Sequence, residues 1–288
     1  MSITKNCILL LFVFSLMSAS QAQENMMRIM SFNIRFANPG DGAHAWKHRK
    51  NFVADVIEYN NAAIIGVQEA LEGQVHELDS MLINHEWFGV GREDGKNKGE
   101  FNPVFYNSHR FELLKNNTFW LSETPSRPGS MGWDAACPRI VTWARFKDKT
   151  NGQHFYLFNT HFDHQGTIAR LRSAEIIIDS IQAIAGNYPA ILTGDFNSLR
   201  RSGPYQHLTH WDNAAGLRDS QEVAEEGPYG PNTTYIGFEA DFSKDMVIDY
   251  IFVNKKINVH RHVVVDDRRG ENYPSDHLPV LTEIYFKK

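Results

Sequence analysis

The chain has only two cysteines in 288 residues, Cys7 and Cys137. Cys7 lies in an amino-terminal stretch that reads as a removable leader. The remaining protein therefore carries one thiol and cannot form an intrachain disulfide, even in an oxidising compartment. Paired-cysteine spacing for structural zinc is absent, and so are a His-Glu-x-x-His helix and a Gly-x-Ser-x-Gly nucleophile elbow. Those absences turn the reading from zinc and serine chemistry toward an activated water. Basic excess is also lacking, since 29 Lys and Arg face 34 Asp and Glu for a formal charge of −5. Tight, non-specific binding of a nucleic acid needs many cations on one face, and the composition gives no bulk support for it. No repeat, low-complexity tract or long Pro/Gly/Ser-rich linker divides the chain.

What the amino terminus does contain is an export pattern. Lys5 precedes an apolar run from Ile8 to Met17, and Ser20-Gln21-Ala22 offers a small-x-small cleavage site. Residues 1–22 are read as a signal peptide and 23–288 as one domain, and loss of Lys5 moves the formal charge from −5 to −6. The apolar run is shorter than the roughly 20 residues that span a bilayer, and no later segment approaches that length, so no transmembrane segment is expected. A lipid anchor needs a cysteine at the cleavage point, which Cys7 is not. The expectation is an exported, soluble monomer, periplasmic or extracellular, with no protein partner implied.

Short runs rich in β-branched and aromatic residues outnumber helical stretches. They predict strands at Met27 to Arg35, Ala63 to Val67, Trp87 to Gly91, Pro103 to Tyr106, Phe111 to Trp120, Ile140 to Phe146, His154 to Thr160, Ala190 to Thr193, Met246 to Val253 and Leu278 to Phe286. Helical spacing is clearest from Ile168 to Ala185, stopped by Gly186 and Pro189, with weaker helices around Phe52 to Ile57 and Val75 to Met81. A strand, helix, strand, helix opening followed by antiparallel-type pairs predicts an α/β sandwich of two sheets with helices packed outside. In such folds, polar residues at strand ends converge on one crevice.

Six segments carry polar residues that a solvated turn does not require: Ser31-Phe32-Asn33-Ile34-Arg35, Gln68-Glu69, Asn159-Thr160-His161, Gly194-Asp195-Phe196-Asn197, Ile248-Asp249-Tyr250-Ile251 and Ser275-Asp276-His277. Taken alone, Gly-Asp-x-Asn is usually a turn, and a single His is usually structural. Asn33 and Asp249, however, sit inside strand-like apolar sequence where an unpaired polar group is costly. A shared site holding a cation answers all six at once. Oxygen donors dominate, and hard oxygen ligands select Mg2+, Mn2+ or Ca2+ over zinc; Mg2+ or Mn2+ is the first choice.

In this order, the segments resemble the endonuclease/exonuclease/phosphatase superfamily, which includes deoxyribonuclease I, abasic-site endonucleases, neutral sphingomyelinases, inositol polyphosphate 5-phosphatases and the deadenylase and nocturnin group. The resemblance runs from Arg28 to Glu283 and implies a four-layer α/β sandwich, two mixed β-sheets flanked by helices. It implies metal ligation by Glu69 and Asp276 with the Asn33 amide beside them, Asp195 as the acid that orients and deprotonates water, and Asn197 as an amide on the phosphoryl oxygen. It further implies that His277, paired with Asp249, stabilises the transition state, and that His161, oriented by Glu100, assists the leaving group. Arg139 is a candidate for a bidentate phosphate contact, against a surface ion pair. Arg170 lies near His161 and is a candidate substrate contact, while Trp133, Trp211, Tyr235 and Phe238 occupy loops that could stack on a base or a sugar, or simply pack.

The leading reading is a phosphoesterase acting on a small substrate: a sugar, inositol, nucleotide or lipid head-group phosphate. A secreted nuclease is the alternative, nucleic acid being possible but not favoured, and a non-catalytic binding module on the same scaffold is the third. Mass spectrometry of the exported protein should find Gln23 as its first residue; retention of residues 1–22 would sink the leader assignment.

Overall fold

The computed structural model describes residues 26–238 and 240–287; the predicted leader, residues 1–22, lies outside the described residues. Two mixed β-sheets stack face to face. The first has seven strands in the order β10 (Ala224–Tyr229), β12 (Ile257–Val264), β13 (Val280–Phe286), β1 (Met27–Asn33), β2 (Ile64–Gln68), β4 (Val104–Asn107) and β3 (His85–Phe88), and the second has six in the order β5 (Phe111–Trp120), β6 (Ile140–Asp148), β7 (His154–His161), β8 (Ala190–Asp195), β11 (Asp249–Val253) and β9 (Arg218–Asp219). The strands that position the site are β1 (Met27–Asn33) and β2 (Ile64–Gln68) of the first sheet, with β7 (His154–His161), β8 (Ala190–Asp195) and β11 (Asp249–Val253) of the second. Helices α1 (Trp46–Tyr59) and α2 (Glu72–Met81) cover the outer face of the first sheet, and α3 (Thr167–Ala185) and α4 (Gly203–Thr209) that of the second. This is the expected four-layer arrangement.

Side chains alternate across each strand, so the central strands contribute one row to an outer core and one to the layer between the sheets. On β1, Met30 and Phe32 meet α1, while Met27 and Ile29 enter the central core. The inner rows change character along their length. β1 reads Met27, Ile29, Ser31, Asn33; β7 reads Phe155, Leu157, Asn159, His161; β8 reads Ile191, Thr193, Asp195; and β11, running the other way, reads Val253, Ile251, Asp249. Strand register lines up the changes: His161 lies opposite Asp195, Asp195 opposite Asp249, and Asn33 opposite Gln68. One end of the central layer is therefore hydrocarbon and the other is polar.

Between these ends lies a buried amide network joining the sheets. Asn159 Nδ2 donates to Val67 O and Pro103 O at 2.8 and 3.1 Å, and its Oδ1 accepts from Gln68 Nε2 at 2.7 Å and Thr193 Oγ1 at 3.0 Å. A Cβ at Gly66 would overlap Thr193 Oγ1 and Asn159 Oδ1, so glycine there permits the close approach of the two sheets. Gln68 and Asn159, expected at a shared site, are instead its floor.

Three strands escaped the sequence reading: β9 (Arg218–Asp219), β10 (Ala224–Tyr229) and β12 (Ile257–Val264). β12 alternates as a strand should until a register shift between Val259 and Arg261 breaks the pattern, and β10 is a largely exposed edge with no apolar row. The expected strand from Met246 begins only at Asp249. Replacing Asn159 by Leu removes four hydrogen bonds, although Gln68 Nε2 keeps Gly66 O, Thr193 Oγ1 keeps Phe158 O and Pro103 O keeps Val67 N. At about 0.5 to 1.5 kcal/mol for each lost bond, denaturant unfolding should register a loss of at least about 2 kcal/mol; a change under about 1 kcal/mol would discount the network.

Candidate functional site

Beyond the amide floor, the strand ends turn sharply. Arg35, Glu69 and Asn197, which follow β1, β2 and β8, adopt φ of 59, 64 and 45°. Left-handed backbone costs a non-glycine residue roughly 1 kcal/mol or more, and such outliers persist where surrounding contacts enforce them. Those contacts are visible here. Glu69 Oε2 accepts from Phe36 N at 3.1 Å, and Asp195 Oδ1 accepts from Asn197 N at 2.9 Å.

Asn33 is the hinge of the cluster. Its Nδ2 donates to Glu69 Oε1 at 3.0 Å and to Asp195 Oδ2 at 2.9 Å, and its Oδ1 accepts from Arg35 N at 3.0 Å. Two carboxylates on one side and an N–H on the other permit a single amide orientation. Asn33 was expected on the metal side; the structure turns its N–H groups, not its oxygen, toward the carboxylates, so it links Glu69 to Asp195 across the two sheets.

His277 Nδ1 pairs with Asp249 Oδ2 at 2.9 Å, and its Nε2 stands 3.8 Å from Asp195 Oδ2. Burial alone would lower the imidazole's pKa, but Asp249, followed by Asp195 and Asp276, outweighs it and holds the ring well above its ordinary value. Asp195 moves upward too, to about 7, chiefly by burial and then by the Asp249 charge, with His277 and two N–H donors opposing. Burial likewise raises Asp276, whose neighbour Glu69 adds to the shift while His277 and Arg35 oppose it.

Three carboxylates, Glu69, Asp195 and Asp276, thus crowd one crevice, and Arg35 Nε at 3.9 Å from Asp276 is shared with Asp41. Donor atoms of Glu69, Asp195 and His277 approach within 4.8 Å of one another. A histidine held protonated by Asp249 is a poor ligand, so the oxygens are the donors, and this set fits a hard divalent cation. Cys137, Asp163 and His164 form a second such group, but the Arg139 guanidinium already occupies it.

His161 is buried, with Nε2 3.0 Å from Asn197 Nδ2 and 3.4 Å from Asp195 Oδ2. Asn197 Nδ2 also donates to Phe162 O at 3.0 Å. Both of its protons are thereby used inside the protein, and the expected donation from Asn197 to a phosphoryl oxygen has no free N–H. Burial, reinforced by Arg139 and Arg92, holds His161 well below its usual pKa, so the ring expected to assist the leaving group is an uncharged hydrogen-bond partner at neutral pH. Glu100 Oε2 is 3.9 Å from His161 Nδ1, beyond hydrogen-bond reach, and is taken instead by Arg92 Nη1 at 2.6 Å.

Arg139 is a buried cation, not a surface ion pair. Nε faces Asp163 Oδ2 at 3.4 Å, Nη2 faces His164 Nδ1 at 3.0 Å, and Nη1 is buried without a hydrogen-bond partner; the residue lines the crevice. Arg170 is not brought to the site: it donates to Asp163 O at 3.0 Å and to Thr167 Oγ1, bracing the start of α3. Of the loop aromatics only Tyr235 lines the crevice, its ring 5.0 Å from that of His277; Phe238 stacks on His44, and Trp211 is 78% exposed beside His210. Arg35, Arg92, Cys137 and His164 also line the crevice, of about 400 Å³, and received no role from the sequence. Arg35 and His164 stand within three residues of Asn33 and His161, which is a usable signal; Arg92 has none.

A sequence model of the Endonuclease/Exonuclease/phosphatase family matches residues 30–277. An endonuclease/exonuclease/phosphatase from Bacteroides vulgatus is similar in structure, with a TM-score of 0.87 and 39% identity over 91% of this chain and 99% of that one. A mannosyl-6-phosphatase of Bacteroides thetaiotaomicron VPI-5482 has a TM-score of 0.84 and 36% identity over 90% of this chain and 100% of that one. The CCR4-Not complex 3'-5'-exoribonuclease subunit Ccr4 of Mycosarcoma maydis is 22% identical over 94% of this chain, which spans 52% of that relative's length. With its sheets, its strand-end carboxylates and most of its length accounted for together, the chain belongs to the endonuclease/exonuclease/phosphatase family.

Proposed function

We propose that the protein is an exported, divalent-metal-dependent phosphoesterase that hydrolyses small phosphomonoesters, sugar phosphates first among them. The carrying observation is the line Asn33–Asp195–His277–Asp249, which brings a base of pKa about 7 beside a protonated imidazole. Asp195 takes the proton of the attacking water. His277, kept charged and oriented by Asp249, donates from Nε2 to a phosphoryl oxygen, and the unpartnered Nη1 of Arg139 donates to another. Glu69 and Asp276 hold the cation, which supplies charge neutralisation at the phosphate. Asn197 positions His161.

Substrate size follows from charge. The three guanidiniums lining the crevice are each paired, Arg35 with Asp41, Arg92 with Glu100 and Arg139 with Asp163. A polyanion would find no unpaired cationic track there, whereas one phosphate needs only the orphan N–H of Arg139, His277 and a metal. The similarity to a mannosyl-6-phosphatase along that protein's full length supports the same reading. The export half rests on residues 1–22.

Purified protein with Mg2+ or Mn2+ should release phosphate from hexose 6-phosphates and leave single-stranded RNA and duplex DNA intact. Asp195→Asn and His277→Ala should each slow the reaction about 10²- to 10⁴-fold. Nucleic-acid cleavage without small-ester turnover would reverse the substrate order, and unchanged rates in both variants would remove the mechanism.

Cation binding has its own readout. At about 100 times its dissociation constant, Mg2+ should stabilise the fold by about 2.7 kcal/mol, measurable as a rise in Tm that EDTA abolishes. Asp276→Asn should lose that increment while being more stable than wild type without metal, because burial and Glu69 disfavour the charged form of Asp276. A wild-type Tm indifferent to both Mg2+ and Mn2+ would be incompatible with the cation site.

A further inference from the structure

On the far side of the β1 strand end from the carboxylates lies Arg49, on α1, 4% exposed and with no carboxylate partner among the described residues. Every hydrogen bond it makes goes to a main-chain carbonyl. Nε donates to His44 O at 2.5 Å, Nη1 to Ile34 O at 2.9 Å and Pro274 O at 2.6 Å, and Nη2 reaches Arg35 O at 3.5 Å. Its pKa is lowered to about 10, by burial first and with Arg35 adding, while Asp276, Asp41 and Glu69 oppose. It is therefore charged at neutral pH.

The other faces of those peptide units carry the site. The unit whose oxygen is Ile34 O has Arg35 N as its N–H, which donates to Asn33 Oδ1. The unit whose oxygen is Arg35 O has Phe36 N, which donates to Glu69 Oε2, and Gln74 Nε2 holds the same oxygen at 2.9 Å. Pro274 leads directly into Ser275-Asp276-His277, and Ser275 Oγ returns a hydrogen bond to Asn33 O at 2.7 Å. A charged donor on a carbonyl polarises the peptide and strengthens its N–H as a donor. A trans peptide directs its C=O and N–H to opposite sides, so fixing the oxygen also fixes the direction of the N–H.

We propose that Arg49 is a positioning residue of the phosphoester site: its guanidinium orients the peptide units whose N–H groups hold Asn33 and Glu69, and it ties them to the segment bearing Asp276 and His277. The proposal rests on the phosphoesterase reading for its purpose. Its geometry does not require turnover. Without the guanidinium fork, Arg35 N–H is free to leave Asn33 Oδ1, and the Asn33 amide can turn its oxygen toward Glu69 and Asp195. Those carboxylates then lose the donor that spaces them, and cation affinity falls. Lysine at the same place keeps the charge but offers one nitrogen where three carbonyl-facing nitrogens stood.

Amide hydrogen exchange and Mn2+ binding test this without a substrate. In wild-type protein the Arg35 and Phe36 amides should be protected from exchange like those of the core strands, although both residues lie beyond the end of β1; exchange at the rate of an exposed loop would overturn the proposal with no variant needed. In Arg49→Lys and Arg49→Met, the two amide resonances should shift upfield and lose protection, while amides of β6 and β7 remain as in wild type. Mn2+ affinity, read by electron paramagnetic resonance of the free ion, should weaken roughly 10- to 100-fold, the range found when second-sphere partners of a metal are removed. A folded Arg49 variant with wild-type Arg35 and Phe36 amides and wild-type Mn2+ affinity would refute the assignment. Absence of Mn2+ binding in the wild type itself would instead strike the phosphoesterase reading and leave the amide measurements to decide the role of Arg49.

Discussion

The constraint on which the site depends is the buried junction of Asn159, Gln68 and Thr193 between the two sheets. Apolar packing between sheets is non-directional and tolerates sliding, because hydrocarbon faces have no preferred register. Amides do have one. Asn159 has both protons and its oxygen committed, two bonds to the first sheet's backbone and two received from side chains on opposite sheets. Moving one sheet by a single residue would break the three that cross between the sheets, sparing only the bond from Thr193 on the neighbouring strand, in a medium where none can be replaced by water. With the register pinned, residues two positions further along meet at bonding distance: Asn33 from one sheet with Asp195 from the other, and His277 before β13 with Asp249 on β11.

The polar end of the layer shows what that register is used for. Asp195 and Asp249 are opposite one another on adjacent strands, an arrangement that raises the pKa of one if neither is compensated. His277 resolves it by taking Asp249 as its partner and standing at longer distance from Asp195. The result is asymmetric: one carboxylate committed to an imidazolium, the other near neutrality and equipped to exchange a proton. On the proposed reading, a metal at Glu69 and Asp276 would shift that balance toward the ionised form of Asp195, coupling cation loading to the proton equilibrium of the base.

Period-2 reading of the sequence carries most of this layer. The strands β1, β2, β7 and β8 were visible as apolar runs, and Asn33, Glu69, Asp195, Asp249, Asp276 and His277 were recognisable because polar residues interrupt or terminate those runs. The distinction between floor and site was not visible. Gln68 and Asn159 are polar strand residues like Asn33 and His161, and only the facing sheet reveals that the former pair bond each other while Asn33 bonds Glu69 and Asp195 and His161 lines the crevice. Asn197 shows the same limit, since its i, i+2 relation to Asp195 is correct but its N–H groups turn inward to His161 and Phe162. Arg49 was illegible for a further reason: its partners are backbone oxygens, which every residue has, and no side-chain pattern marks them.

Charge compensation finally limits what the crevice can hold. Each arginine at its wall is matched to an acid, and Arg139 to one fixed by other contacts: Asp163, whose carboxylate also accepts from the main-chain N–H groups of Ala136, Gln165 and Gly166. Those donors, with Arg139, outweigh the burial that would raise Asp163, and hold it ionised below the usual carboxylate range. Arg139 cannot swing away to follow an extended strand without abandoning a buried anion, which is costly. Its Nη1 is left buried and without a hydrogen-bond partner. On the proposed reading, a wall of clamped cations would favour compact anions, because a longer one gains nothing from charges that are spent.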